Sequence, residues 1–108
     1  MEYSAIYHDM DKRFCYAIDK DLFVIRVQVK KDDMKEIILH CEDKYIPMER
    51  KDTKKTIRMK KIATSQFHDY YEAQLQMHLI CLRYYFEFTD TQGKKIYYGN
   101  YEFYKESI

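Results

Sequence analysis

Four acidic pairs are the first candidates for chemistry: Asp9 and Asp11, Asp19 and Asp21, Asp32 and Asp33, Glu42 and Asp43. Calcium takes about six to eight oxygen ligands, so two such pairs brought together by neighbouring loops could hold it. No calcium-loop consensus accompanies them. Each pair falls where a strand is expected to end, and there Asp serves turns by bonding its own backbone. Turn chemistry is the simpler account, and calcium stays open as the one cofactor these residues could take. His8, His40, His68 and His78 are scattered without zinc-ligand spacing, so no metal residue is assigned. Ser4, Ser65 and Ser107 lack a nucleophile elbow. With only 2 Gly, a phosphate-cradling loop in its usual form is excluded. No catalytic residue is assigned, and the chain by itself reads as non-enzymatic.

Cys15, Cys41 and Cys81 are odd in number and contain no C-x-x-C pair. A disulfide framework is therefore not expected, and the thiols read as small apolar strand residues in a reducing compartment, the cytoplasm. The first residues, MEYSAIYHDMDK, carry no basic-then-apolar signal. No apolar run has membrane-spanning length, so no membrane partner is expected.

The run Arg50–Lys61, RKDTKKTIRMKK, sets seven basic residues against one acid and could bind phosphates. A formal net charge of +1 lacks the basic excess of a dedicated nucleic-acid binder. The run reads as a solvated loop and edge strand, and nucleic acid is not an expected partner. The tyrosines are the remaining signal, 12 of them against 6 Phe. Tyr71 and Tyr84 fall on apolar faces. Tyr45 sits in an irregular segment beside Pro47 and Met48, Tyr85 faces away from Phe86, and one of Tyr97 and Tyr98 must point outward. Exposed aromatics stack on sugar rings or anchor protein interfaces.

The elements that must position these residues are strands. Phe23, Ile25, Val27 and Val29 alternate with polar residues across Leu22–Lys30. Tyr70–Met77 and Cys81–Thr89 alternate likewise, the second with Leu82, Tyr84, Phe86 and Phe88 on one face. Shorter strands are expected at Ser4–His8, Phe14–Ile18, Glu36–Cys41 and Thr56–Ile62, the last a lysine-bearing edge. Glu36–Cys41 reads as a hairpin partner of Leu22–Lys30. A short helix within Met34–Cys41 is its rival, because a brief apolar run has no decisive period. Asp90–Lys95 is a hairpin turn, and IYYGNYEFY closes the chain. With 108 residues and 46% hydrophobic content, one modest core is expected. The fold class is all-β, an immunoglobulin-like antiparallel β-sandwich of seven or eight strands filling residues 1–108.

Four segments carry a resemblance over nearly the whole chain: AIYH at Ala5–His8, IRVQVKKDDMKEIIL at Ile25–Leu39, MKKIATSQFHDYYEA at Met59–Ala73, and RYYFEFTD, KKIYYG and FY within Arg83–Tyr104. In order and spacing the chain resembles the N-terminal starch-binding module of the cyclomaltodextrinase, neopullulanase and maltogenic amylase group. It departs from that pattern at Asp32-Asp33, where the group has Gly-Asp, at Tyr71, where it has Trp, and at Tyr85, where it has Gly. CEDKYIPM replaces a loop that carries Trp there, and this chain has no Trp.

The resemblance implies a non-catalytic piece of a larger glycoside hydrolase, with an (α/β)₈ barrel following it. The group cleaves α-1,4 and often α-1,6 bonds in cyclodextrin, pullulan and maltooligosaccharides. Such a module helps bind glucan and builds a homodimer, lying near the partner subunit's active site. The matching loop places Tyr45, with Pro47 and Met48, toward that cleft, and Tyr85 joins them as a contact candidate. It also implies that the lead-in ATSQFHDY crosses between the sheets, pinned by Phe67 and Tyr70. A purely structural dimerisation module without sugar affinity is the first alternative. A small nucleic-acid-binding β-domain using Arg50–Lys61 and stacking tyrosines is the second.

Overall fold

The computed structural model describes residues 1–9, 14–19, 22–43, 54–76 and 81–104. Eight strands run through them: β1 (Cys15–Asp19), β2 (Leu22–Lys30), β3 (Met34–Asp43), β4 (Lys55–Arg58), β5 (Lys60–Thr64), β6 (His68–Gln76), β7 (Cys81–Asp90) and β8 (Lys95–Tyr104). They form two four-stranded antiparallel sheets, β1-β2-β6-β5 and β4-β3-β7-β8. This is the constant-type immunoglobulin arrangement with one strand added beside β3. Among the described residues no helix is long and apolar enough to cross a membrane.

Alternation builds the core. Phe23, Ile25 and Val27 of β2 stand opposite Leu75, Ala73 and Tyr71 of β6. In the other sheet Ile37, Leu39 and Cys41 of β3 stand opposite Phe88, Phe86 and Tyr84 of β7. All twelve are buried. Each large side chain among them contributes about 1.5–3 kcal/mol by leaving water. The rival helix does not form, since Met34–Asp43 is strand throughout.

Pairing departs from expectation in four places. First, β3 is not the hairpin partner of β2. The connection Lys31–Asp33 crosses from one sheet to the other, its Lys31 N–H donating to Phe67 O at 3.0 Å and its Asp33 carbonyl accepting from Thr91 N at 3.1 Å. Asp32 makes the corner with φ +58°, the left-handed region that the Gly of the resembled group would enter freely. Second, Thr56–Ile62 is not one strand. It divides at buried Met59, whose N–H donates to Ile37 O at 2.8 Å, so β4 lies at the edge of one sheet and β5 at the edge of the other.

Third, that step is the crossing, and the lead-in is not. Residues 60–70 form the β5–β6 hairpin within one sheet. Phe67 sits in its turn at 66% exposure and pins nothing to the core. Fourth, Ser4–His8 is not a strand. Tyr3–Ala5 is a single 3-10 turn, and Tyr7 makes one bridge to Gln28.

Two buried polar side chains hold the crossings. His8 reaches the Arg26 carbonyl through Nδ1 (2.6 Å) and the Tyr84 hydroxyl through Nε2 (2.7 Å), joining β2 to β7 across the sandwich. Asp69 accepts from Asp32 N (3.0 Å), Thr64 Oγ1 (2.6 Å) and Lys61 Nζ (3.2 Å). Burial alone would push its carboxyl up. The donors from Thr64, the Asp32 backbone and Lys61 outweigh that and hold it below the usual carboxylate range.

Candidate functional site

The outer face of the sheet β4-β3-β7-β8 gathers the chemistry. Ile37, Leu39 and Cys41 point inward, so His40 and Glu42 point out, and parity on β7 turns Arg83, Tyr85 and Glu87 the same way. The register sets His40 opposite Tyr85 and Glu42 opposite Arg83. Cross-strand neighbours on one face are close enough to touch. The His40 and Tyr85 rings stack with centroids 4.7 Å apart and planes 11° apart. Glu42 Oε1 accepts from Arg83 Nε at 3.1 Å and from the terminal nitrogen Nη2 at 2.9 Å.

Tyr97 comes from β8. Between the pairs Tyr84↔Tyr101 and Phe86↔Tyr98, β8 has one residue more than β7. Gly99 absorbs it with φ +86°. The bulge lets both Tyr98 and Tyr101 pack on the core, while Tyr97 stands outward at 64% exposure. Its ring meets Tyr85 edge to face at 6.0 Å. Below the rings, Glu87 accepts from His40 Nε2 at 3.0 Å and from Lys95 Nζ at 3.4 Å. The His40 hydrogen bond, then Lys95, holds the Glu87 carboxyl low despite its burial.

Beside this aromatic cluster runs a groove of about 420 Å³ lined by His40, Cys41, Glu42, Lys54, Lys55, Thr56, Arg83, Tyr85 and Asn100. An aromatic wall next to the Glu42–Arg83 ion pair, two lysines and neutral hydroxyl and amide groups can hold a polar ligand that has an apolar face. Among the described residues no cluster of three acidic, His or Cys side chains could ligate a metal ion. Cys15 and Cys41 are buried free thiols. Burial raises both, Cys41 to about 11.

Of the four site residues expected from the sequence, Tyr85 stands on this face and is 39% exposed. Tyr45, Pro47 and Met48 lie outside the described residues. The sequence alone assigns no site role to His40 or Arg83, and it leaves open which of Tyr97 and Tyr98 faces outward. For His40 the signal was present, since its parity within apolar Ile37–Cys41 turns it outward.

Residues 1–108 match the family model described as alpha amylase, N-terminal ig-like domain. The chain belongs to the alpha-amylase N-terminal Ig-like domain family. A maltogenic alpha-amylase of Bacillus acidopullulyticus is 38% identical over 86 residues, 80% of this chain and 15% of that protein. An intracellular maltogenic amylase of Bacillus subtilis (strain 168) is 31% identical over 100 residues, 93% of this chain and 17% of that protein. Among solved structures, a cyclomaltodextrinase superposes with TM-score 0.78 at 25% identity, covering 96% of this chain and 20% of the other. The type III pullulan hydrolase from Thermococcus kodakarensis shares the fold, with TM-score 0.69 at 18% identity over 91% of this chain and 16% of that one. The chain thus spans less than a fifth of the length of these curated relatives.

Proposed function

We propose that this family member is the non-catalytic N-terminal module of an α-glucan hydrolase. The outer face bearing His40, Tyr85 and Tyr97 is its contact surface for glucan and for the second subunit of a homodimer. The observation that carries the reading is a packed aromatic cluster on a sheet face, with Tyr85 and Tyr97 exposed, flanked by a groove. Such surfaces stack on sugar rings and anchor subunit contacts. The catalytic acid and nucleophile belong to a barrel elsewhere in the longer protein. A barrel of that kind needs about 250 residues, more than the 108 present. Its substrates are cyclodextrin, pullulan and maltooligosaccharides, cleaved at α-1,4 and α-1,6 bonds, and it works in the cytoplasm. Tyr45, Pro47 and Met48 are proposed as further contacts for glucan or for the second subunit.

The test uses the longer protein. Tyr97→Ala, Tyr85→Ala and Tyr45→Ala are each assayed for cyclodextrin turnover and for the dimer dissociation constant. A several-fold loss in both supports the reading, and three folded variants indistinguishable from the parent refute it. A second reading, a dimerisation module without sugar affinity, is favoured by the absence of Trp and by His40 covering one face of Tyr85. It expects the dimer constant to move and glucan binding to stay.

A further inference from the structure

Two turns at one end of the sandwich close on the amine of Met1. Met1 N lies 3.1 Å from Asp90 Oδ2, in the β7–β8 turn, and 3.9 Å from Asp33 Oδ1, in the β2–β3 crossing. The next amide reinforces the contact, Glu2 N donating to Asp33 Oδ2 at 2.8 Å. The Met1 side chain is 0% exposed and packs against the core, which fixes the amine over both carboxylates. We propose that the Met1 α-amino group is a modification site: an acyl group on it opens this clasp, and hydrolytic removal of that group closes it.

Acylation turns the ammonium into a neutral amide and removes the terminal charge. Asp90, at 2% exposure, then keeps a carboxylate whose cationic partner is gone, and a charge left unpaired in that way is destabilising. Asp90 divides its oxygens between two tasks. Oδ1 accepts from Gln92 N at 3.0 Å and from Lys94 N at 2.8 Å, which leaves Oδ2 to the amine. Burial would raise this carboxyl. The Lys94 N–H, the Met1 ammonium and the Gln92 N–H outweigh burial and hold it low. The Lys94 ammonium is turned to the Tyr3 ring, 5.2 Å from its centroid. Deacylation adds water across the acyl C–N bond. The acyl group leaves as a carboxylate such as formate, and the amine takes up the proton and becomes the ammonium that Asp90 binds. The reaction class is amide hydrolysis at an acyl-methionine terminus. A residue joined ahead of Met1 acts as an acyl group in the same sense.

The chain has its own buried core, so the 108-residue protein is the test object, prepared with a free Met1 amine and with Nα-acetyl-Met1. Acetylation is expected to lower Tm by several degrees and to shift the amide signals of Asp33, Asp90 and Thr91. Asp90→Asn keeps Oδ1 for the turn and replaces only Oδ2. In that background acetylation should cost far less Tm, as expected when the two changes act through one pair. A glycine placed ahead of Met1 moves the ammonium out by one residue and should reproduce the loss in the unsubstituted protein. Formyl-Met1 protein should start at the lower Tm and rise to the higher one as a deformylase releases formate. Equal Tm for the free, acetylated and glycine-extended forms overturns the proposal. An equal acetylation loss with and without Asp90→Asn overturns it too, because the effect would then lie in bulk and not in charge. Release of formate without a rise in Tm does the same for the closing step.

Discussion

Gly99→Ala should be among the most damaging single-methyl additions to this protein. Gly99 has φ +86°, and a Cβ built there would lie 2.2 Å from Cε2, 2.8 Å from Cδ2 and 3.1 Å from Cζ of Tyr101. The ring has little freedom to leave. It stacks on Tyr84 at 5.3 Å and meets His8 at 4.6 Å and Phe86 at 6.1 Å. Left-handed backbone costs a non-glycine residue about 1–2 kcal/mol. Aromatic pairs are worth about 0.5–1.5 kcal/mol each, and a displaced Tyr101 would weaken more than one. The sum is about 3 kcal/mol, a fall in Tm of roughly 12–24 °C for a domain of this size. Urea denaturation with an unchanged m-value reads the loss directly. Gly93 supplies the control, with the same φ of +86° and nothing within 4 Å of its built Cβ. Gly93→Ala should show the backbone cost alone. If the two variants lie within about 0.5 kcal/mol of each other, the Tyr101 clash is relieved without cost and the reasoning fails.

Asp69→Ala should cost about 2 kcal/mol in urea denaturation, because three donors lose a charged acceptor at a buried corner. Asp69, Asp90 and Glu87 all have lowered folded pKa values. Their contribution is therefore complete above the unfolded carboxylate range and is lost as pH falls through the lower folded values. Tm measured against pH should be flat near neutrality and decline below about pH 4, with a smaller decline in Asp69→Ala. At Asp32, with φ +58°, Asp32→Gly should hold or slightly raise Tm, while Asp32→Val should lose about 1–2 kcal/mol. Cys15 and Cys41 should resist a thiol reagent at pH 8 in the folded protein and react on unfolding, and reductant should leave Tm unchanged.

Alternation carried most of the strand reading. At β2, β6 and β7 it marks the buried side of each strand, because side-chain period in a strand is fixed at two. It does not say whether the next strand lies beside that face or across from it. β2 and β3 satisfy one pattern equally as hairpin partners or as opposed layers, and the bonds of Lys31 and Asp33 to separate turns decide for the second. The step at Met59 was hidden for a related reason: Thr56–Ile62 is mostly lysine, arginine and single apolar residues, so neither sheet claims it by pattern. On the functional face, parity turned Tyr85 outward correctly. It left Tyr97 and Tyr98 undecided because the bulge at Gly99 changes phase inside β8. The Glu42–Arg83 pair, 41 residues apart, depends on register, which composition does not encode.

Met59 has a mechanical consequence. One short stretch, Lys55–Thr64, serves as the rim of both layers, β4 on one and β5 on the other. Peeling either rim away pulls on the same covalent segment, with the Met59 N–H bond to Ile37 O at its centre. The two rims should therefore open as one cooperative unit, their amides exchanging with solvent at a shared free energy below that of global unfolding. In that respect the two sheets share a hem, and a ligand or subunit that grips β4 also quiets β5 on the opposite layer.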